Sequence, residues 1–258
     1  MMPKILLQKE KKFFVEDLQR SFTKDKKEYF VKDTAKDFHT PNGVVKKEDF
    51  TKEDGSIITT HSGTEFLLYT PHFLDLYKRI KRLPQIIPFK DIGSIIAMTG
   101  VNKESLIVDG GTGSGALACF LAHIAKEVVS YEIKEEHKSV AQDNISFLGI
   151  TNLFLKSKSL YDGIDESNVN LLTLDLPEPW LVLPHAEKAL LYGGFIVSYS
   201  PTVPQVQDFV NALEKYPSFV HVRTIELIER EWEVRGRKVR PKSEGIGHSG
   251  FLTFVRKL

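Results

Sequence analysis

The sequence predicts an α/β protein: a Rossmann-like, doubly wound sheet of seven strands with an antiparallel hairpin at its edge, plus a small N-terminal β domain. Three observations carry this. Strand and helix patterns alternate from Ser105 onward, which is how a parallel sheet covered by helices on both faces reads. A glycine-rich turn, Asp109-Gly110-Gly111-Thr112-Gly113-Ser114-Gly115, joins the first of these strands to its helix. Residues 1–77 lack the alternation and carry short β-prone segments broken by turn signals.

In that N-terminal part, Tyr29-Phe30-Val31, Gly43-Val44-Val45 and Ser56-Ile57-Ile58-Thr59-Thr60 are separated by Pro41-Asn42-Gly43 and Asp54-Gly55, the signature of short strands and tight turns. The division expected is 1–77 and 78–258. Phe73, Leu74, Tyr77 and Ile80 fall at helical spacing and predict a connector helix that ends before Pro84. A second helix is expected over Lys90 to Thr99. The alternating part then reads as strand Leu106-Ile107-Val108, helix to Ala125, strand Val128 to Tyr131 and helix Lys134 to Leu148. Next come strand Leu153 to Leu155, strand Leu171 to Leu174, a helix from about Pro184 and strand Phe195 to Tyr199. A helix from Val203 to Tyr216 follows. Val220 to Val234 and Gly250 to Val255 are expected to form the closing hairpin across the polar Arg235–His248 stretch.

The 258 residues suit one large domain with a smaller one. Net charge is +1, so no global basic excess announces nucleic acid; such a contact needs a local basic surface or one shared across an oligomer. The single Cys119 excludes an intramolecular disulfide framework and suits a reducing compartment. No apolar run reaches the ~20 residues of a membrane span, and the Lys-rich N-terminus has no apolar region after it, so neither span nor signal peptide is expected.

Chemistry concentrates at two strand ends. Glycines let a backbone turn sharply and approach a ligand, and Glu132 closes the next strand, where a carboxylate suits ribose hydroxyls. The pattern also satisfies the dinucleotide fingerprint with a final Ala116. Asp109 favours S-adenosylmethionine, because a carboxylate suits an ammonium group and sits badly beside pyrophosphate. Asp175-Leu176-Pro177-Glu178-Pro179-Trp180 follows the fourth strand. Its two prolines stiffen the loop. Trp180 reads equally as a stacking face for a flat substrate or as a core residue.

Together these segments resemble a known family. Gly111 to Leu117, Ser130-Tyr131-Glu132, Leu174 to Trp180, Glu229 to Arg235 and Gly247 to Leu252 are similar to the tRNA (adenine-58-N1)-methyltransferases in their archaeal and bacterial homotetrameric form. Asp37-Phe38-His39-Thr40 and Gln85-Ile86-Ile87 with Lys90-Asp91 extend the likeness. It implies a class I S-adenosylmethionine-dependent methyltransferase fold, methyl transfer to N1 of adenine 58 in the tRNA T-loop, with adenine 57 as a further target in some archaeal relatives, a homotetramer in the cytoplasm, and no metal. It assigns Gly111, Thr112, Gly113, Ser114, Gly115 and Ala116, with Asp109, to the methionine part of the cofactor, Glu132 to its ribose and Gln85 to a cover over it. Asp175 would face both the sulfonium and the target adenine.

Two departures from the family pattern stand out. Where relatives carry an acid for the cofactor adenine, this chain has Ser159, with the Leu160 backbone beside it. Where relatives have an aromatic or His before Pro-Lys-Asp, the order here is Pro88-Phe89-Lys90-Asp91, which moves the aromatic face to Phe89. Phe89 and Trp180 are the candidates to stack on the base. Arg235, Arg237, Lys238, Arg240 and Lys242 form a basic run suited to phosphate, with Lys46, Lys47 and Lys52 as an extension. His248 is a further substrate candidate. Rival readings are an amino-group methyltransferase, against which Glu178 between the two prolines argues, a non-catalytic tRNA-binding subunit, and a nicotinamide dehydrogenase.

Overall fold

The computed structural model describes residues 2–245 and 247–258. The chain forms two compact units, Met1–Lys78 and Arg79–Leu258. In the first, β1 (Lys4–Gln8), β4 (Lys27–Val31), β7 (Ile57–Thr59) and β8 (Glu65–Tyr69) make an antiparallel sheet in the order β4-β1-β8-β7. Two ribbons accompany it: β2 (Lys11–Val15) with β3 (Arg20–Lys24), and β5 (Phe38–Thr40) with β6 (Gly43–Val45). The alternation of β8 drives this packing: Phe66 and Leu68 point inward onto Leu6, Val31, Val45, Phe50 and Ile58, while Glu65 faces water. The expected connector helix is shorter. Helix α1 spans Phe73–Tyr77, and residues 78–88 run as turn and loop, since Pro84 and Pro88 bar helix there.

The second unit opens on α2 (Phe89–Thr99) and continues through β9 (Leu106–Gly110), α3 (Ala116–Ala122), β10 (Glu127–Tyr131), α4 (Glu135–Leu148) and β11 (Leu153–Lys156). Then come β12 (Val169–Leu174), α5 (Leu183–Ala189), β13 (Leu190–Ser200), α6 (Val203–Ala212), β14 (Phe219–Glu226), β15 (Trp232–Arg235), β16 (Lys238–Pro241) and β17 (Phe251–Lys257). Seven strands form one sheet in the order β11-β10-β9-β12-β13-β17-β14. The first five are parallel and covered on both faces, so their sequences are continuous apolar runs rather than alternating ones. Val108, Leu172, Leu174, Val182, Leu183, Ile196 and Phe209 are central to the core beneath them.

The edge carries the expected antiparallel pair, β14 with β17, but with a shorter first strand. β17 inserts antiparallel between β13 and β14, and β14 ends at Glu226 rather than running to Val234. The charged stretch Glu229-Arg230-Glu231 offers no apolar side to lay on the sheet. β15 and β16 instead pair only with each other, as a separate ribbon. A dinucleotide-binding sheet would continue with a parallel sixth strand; the antiparallel β17 departs from that pattern. The strand order reverses between β9 and β12, which places their carboxyl ends side by side at the switch point, where open α/β sheets hold ligands.

Candidate active site

The glycine turn caps β9. Gly111 and Thr112 donate backbone N–H groups to the Tyr131 carbonyl at 3.1 and 3.3 Å, which ties the turn to the end of β10. Its three positive-φ glycines have different reasons. At Gly111 (φ +90°) a Cβ would fall 2.2 Å from the Asp175 carbonyl oxygen, so glycine is needed to let the two strand-end loops meet. At Gly115 (φ +75°) it would press to 3.0 Å on Ala141 Cβ, where α3 and α4 cross closely. At Gly113 (φ +54°) the nearest heavy atom would be 3.9 Å away, so protein packing does not claim the space over this residue. A glycine cradle open to the outside, with a carboxylate at its rim, fits a ligand carrying a ribose.

That rim carboxylate is Glu132. Its Oε2 accepts from Gly113 N at 3.0 Å, and its Oε1 accepts from Ile133 N and Lys134 N at 2.9 Å each. Three backbone donors fix the orientation of this buried group; Oε1 uses both of its lone pairs on them, and Oε2 keeps one for a hydroxyl. Asp109 behaves differently from the expectation. It is buried, and its two oxygens accept from Thr173 Oγ1 and Ser130 Oγ, each at 2.6 Å. Thr112 Oγ1 in turn meets Ser130 Oγ at 2.5 Å. Burial raises the Asp109 pKa, against the two hydroxyl bonds that lower it. Asp109 therefore braces β9, β10 and β12 beneath the turn instead of lying at its surface. The reason is its strand register, opposite Ser130 and Thr173.

Asp175 follows β12 directly. Its N–H donates to the Gly110 carbonyl at 2.9 Å, extending the β9–β12 ladder by one residue. The loop beyond is held by Gln205 Nε2 on the Pro177 carbonyl (3.0 Å) and by Glu178 N on Tyr161 Oη (3.2 Å). Solvent reaches the Asp175 side chain, yet burial by the surrounding protein pushes its pKa up to about 7, with Asp109 adding to the shift. Accessible and yet densely surrounded is the condition of a group lining a concave site. A carboxylate so perturbed at a switch point is a candidate functional group.

The other expected residues separate into groups. Gln85 is exposed on the 78–88 loop, and Phe89 opens α2 with its ring 6.0 Å from that of Phe120 on α3. Ser159 is a helix cap, its Oγ accepting from Tyr161 N at 3.1 Å, and Leu160 is buried against Gly110. Trp180 is half-buried and packs on the core, which favours the packing role over stacking. Arg235, Arg237 and Arg240 are exposed on the β15–β16 ribbon, but Glu233 holds Arg240 at 3.2 Å and Lys238 at 2.8 Å, and Glu231 holds Lys242 at 2.6 Å.

His248 is a structural clamp. Nδ1 lies 2.6 Å from Glu226 Oε1 and Nε2 lies 2.8 Å from the Pro201 carbonyl. Both partners only accept, so the imidazolium, with two N–H groups, satisfies both. The Glu226 contact, then the Pro201 contact, raises the pKa above 6.5. The clamp thus stabilises fully below that value and fades as pH rises through the raised one. The melting-temperature gap between wild type and His248→Gln is expected to be wider at pH 6 than at pH 9; equal gaps would remove the clamp.

Three features gave little sequence signal. Lys90 Nζ binds both oxygens of the buried Asp91 at 2.9 Å and Ser249 Oγ at 2.6 Å. Tyr199 Oη donates to the Ser249 carbonyl at 2.6 Å. Burial lifts the Tyr199 pKa to about 12; the Ser249 bond opposes the rise, and the charges of Asp91 and Asp175 add to it. Its position at the end of β13 was the one available hint. The third, Asn144, is buried in the middle of α4.

Residues 66–244 match the family described as tRNA methyltransferase complex GCD14 subunit. The chain belongs to this family. A Methanocaldococcus jannaschii tRNA (adenine(57)-N(1)/adenine(58)-N(1))-methyltransferase, TrmI, is 34% identical over 89% of this chain and 91% of its own. A Thermus thermophilus tRNA (adenine(58)-N(1))-methyltransferase TrmI is 32% identical over 85% of this chain and 88% of its own. Among solved structures, a Thermotoga maritima protein titled SAM-dependent O-methyltransferase superposes with TM-score 0.78 at 29% identity, covering 99% of this chain and 92% of that one. TrmI from Aquifex aeolicus gives 0.74 at 26% identity, covering 99% and 96%. The fold is that of the class I S-adenosylmethionine-dependent methyltransferases, as this family's members have it.

Proposed function

We propose that this chain is a tRNA (adenine-N1)-methyltransferase that uses S-adenosylmethionine and acts on adenine 58 of the T-loop. The single observation that carries the reading is Asp175, a carboxylate with its pKa raised to about 7, hydrogen-bonded through its backbone to Gly110 beside the glycine turn. The relatives' names supply the nucleobase and the position. S-adenosylmethionine, when bound, supplies a methyl group on an electrophilic sulfonium. Gly111 to Gly115 and Glu132 would hold it, Glu132 through a ribose hydroxyl.

Adenine N1 carries a lone pair, so the chain need not remove a proton before attack. The product is a cation spread onto N6. Asp175, accepting from the N6 amino group, orients the ring and stabilises the charge that develops in the transition state. The target base leaves its stack to reach this carboxylate, at a cost of about a few kcal/mol. Phe89 is the better candidate to stack on it, because Trp180 is committed to the core. Incubation with unmodified tRNA and a labelled methyl donor, followed by nucleoside mapping by mass spectrometry, tests the reading. Label at 1-methyladenosine 58 is expected; label on an exocyclic amine or on protein would replace it.

We read residues 1–77 as a separate β domain and 78–258 as the catalytic one, which the compact units Met1–Lys78 and Arg79–Leu258 support. The β15–β16 ribbon offers phosphate contacts through Arg235 and Arg237. Each Arg→Ala change there is expected to lower the slope of log affinity for tRNA against log salt by about 1. Unchanged slopes would take the ribbon out of the RNA surface. The other face of the ribbon bears Trp232, Val234 and Val239, all exposed, which supports assembly with further copies; the homotetramer itself rests on the family resemblance. A cytoplasmic setting rests on the tRNA substrate.

A further inference from the structure

Between the two units' boundary and α2 runs a loop, residues 79–88, that carries Gln85 and has no regular structure after Ile80. It is held at its near end by a side chain that the reaction above does not use. Beyond its far end, in α2, Lys90 and the buried Asp91 bond to each other and to Ser249. At its near end stands Asn144. The Asn144 Oδ1 accepts from Lys81 N at 2.8 Å, and its Nδ2 donates both to the Lys81 carbonyl and to the Ser114 carbonyl, each at 2.8 Å.

These three bonds are specific in kind. Lys81 uses both of its backbone groups on one side chain, as it would on a neighbouring β-strand. The same amide then reaches the glycine turn through Ser114, between Gly113, whose N–H holds Glu132, and Gly115. Asn144 is 2% exposed, and its three bonds leave one acceptor site of four unused. A helix interior is an unfavourable place for asparagine, which competes for backbone hydrogen bonds; here the competition is turned outward, to backbone on two other segments. Lys81 adds an exposed ion pair to Asp143, the residue beside Asn144, at 2.6 Å.

We infer that Asn144 is a positioning residue that couples the 79–88 loop to the glycine turn, so that ordering of the loop and filling of the cofactor cradle assist one another. Asn144 touches neither substrate nor reacting atoms. Its effect is on cofactor affinity, through the two segments it joins, and by linkage the cofactor must in turn protect the loop. The inference rests on the assignment of the glycine turn to S-adenosylmethionine.

The test measures binding and protection apart from activity. In calorimetry, Asn144→Ala is expected to weaken S-adenosylmethionine binding on the order of tenfold, within the range of typical coupling between sites. The tRNA dissociation constant, and kcat at saturating cofactor, should stay within about twofold. Asn144→Ser, which is smaller but keeps one hydroxyl for hydrogen bonding, should fall between. A kcat loss with unchanged cofactor affinity would overturn the inference. A second measurement needs no variant: trypsin cuts after Lys81 and Arg82, and S-adenosylmethionine should slow those cuts in the wild-type chain. If Asn144→Ala fails to fold, that protection alone decides, and its absence refutes the coupling. If the wild-type chain binds no S-adenosylmethionine, the cofactor assignment fails first. Binding in the wild type with equal affinity in Asn144→Ala defeats the inference alone.

Discussion

Asp175→Ala is expected to lower kcat by roughly 10²–10³-fold, the usual effect of removing one preorganised group aimed at developing charge. The binding of S-adenosylmethionine should fall by much less than kcat, because the glycine turn is held by the Asp175 backbone N–H and not by its side chain. Asp175→Asn separates two parts of the role. The amide can still accept a hydrogen bond, so residual activity above that of alanine measures orientation, and the remaining deficit measures charge. Wild-type turnover by Asp175→Ala on unmodified tRNA would sink the proposed mechanism.

The raised pKa adds a pH signature. A neutral carboxyl can still accept from N6, but only the ionised carboxylate sets a full negative charge against the developing cation. The profile of kcat/KM should therefore rise with an apparent pKa near the value of about 7 that burial gives this side chain. A cation in the adjoining cradle favours the ionised form, so the kcat profile should rise at lower pH. Stability carries the opposite sign. The folded-state pKa stands above the ordinary 3.8, so the folded chain holds the proton longer and loses stability as pH rises from about 4 to about 7. Asp175→Asn should therefore match or exceed the wild-type melting temperature at pH 8, by a modest amount because solvent screens this group. A lower melting temperature for Asp175→Asn would contradict the burial.

Gly111→Ala is expected to be the more damaging change. The added methyl meets a backbone oxygen at 2.2 Å, which no side-chain rotation relieves, and φ +90° is strained for any L side chain. The turn and the Asp175 loop must separate, which breaks the Asp175 N–H bond to Gly110. Cofactor binding, turnover and melting temperature should all fall together. Gly113→Ala is the control. Its methyl meets nothing in the protein nearer than 3.9 Å, so the chain should fold with only the modest cost of a left-handed alanine. A selective loss of S-adenosylmethionine affinity in Gly113→Ala would mean that the space belongs to a ligand. Equal melting temperatures for Gly111→Ala and wild type would show that the loops do not meet as described.

Much of this site was legible one strand at a time. The glycine turn, Glu132 and Asp175 each close a strand, and a strand end after an apolar run is a local pattern. The sequence said least where a residue's surroundings depended on its neighbours across the sheet. Asp109 carries the right chemistry for an ammonium, but Ser130 and Thr173 stand opposite it in register and take up its two oxygens. His248 looked free to touch substrate until Glu226 and Pro201, both distant in sequence, closed on its two nitrogens. Asn144 gave no signal, because its partners Lys81 and Ser114 lie 63 and 30 residues away.

The sequence alone determined the α/β alternation, the paired strand-end loops and the residue types for a methyl-transfer site, because periodicity and turn chemistry are local. The tertiary structure decided which carboxylate solvent reaches, Asp175, and which is buried as a brace, Asp109. It also set β17 between β13 and β14, and joined the 79–88 loop to the glycine turn. Those outcomes follow from strand register and from contacts between distant segments, which only the folded chain brings together.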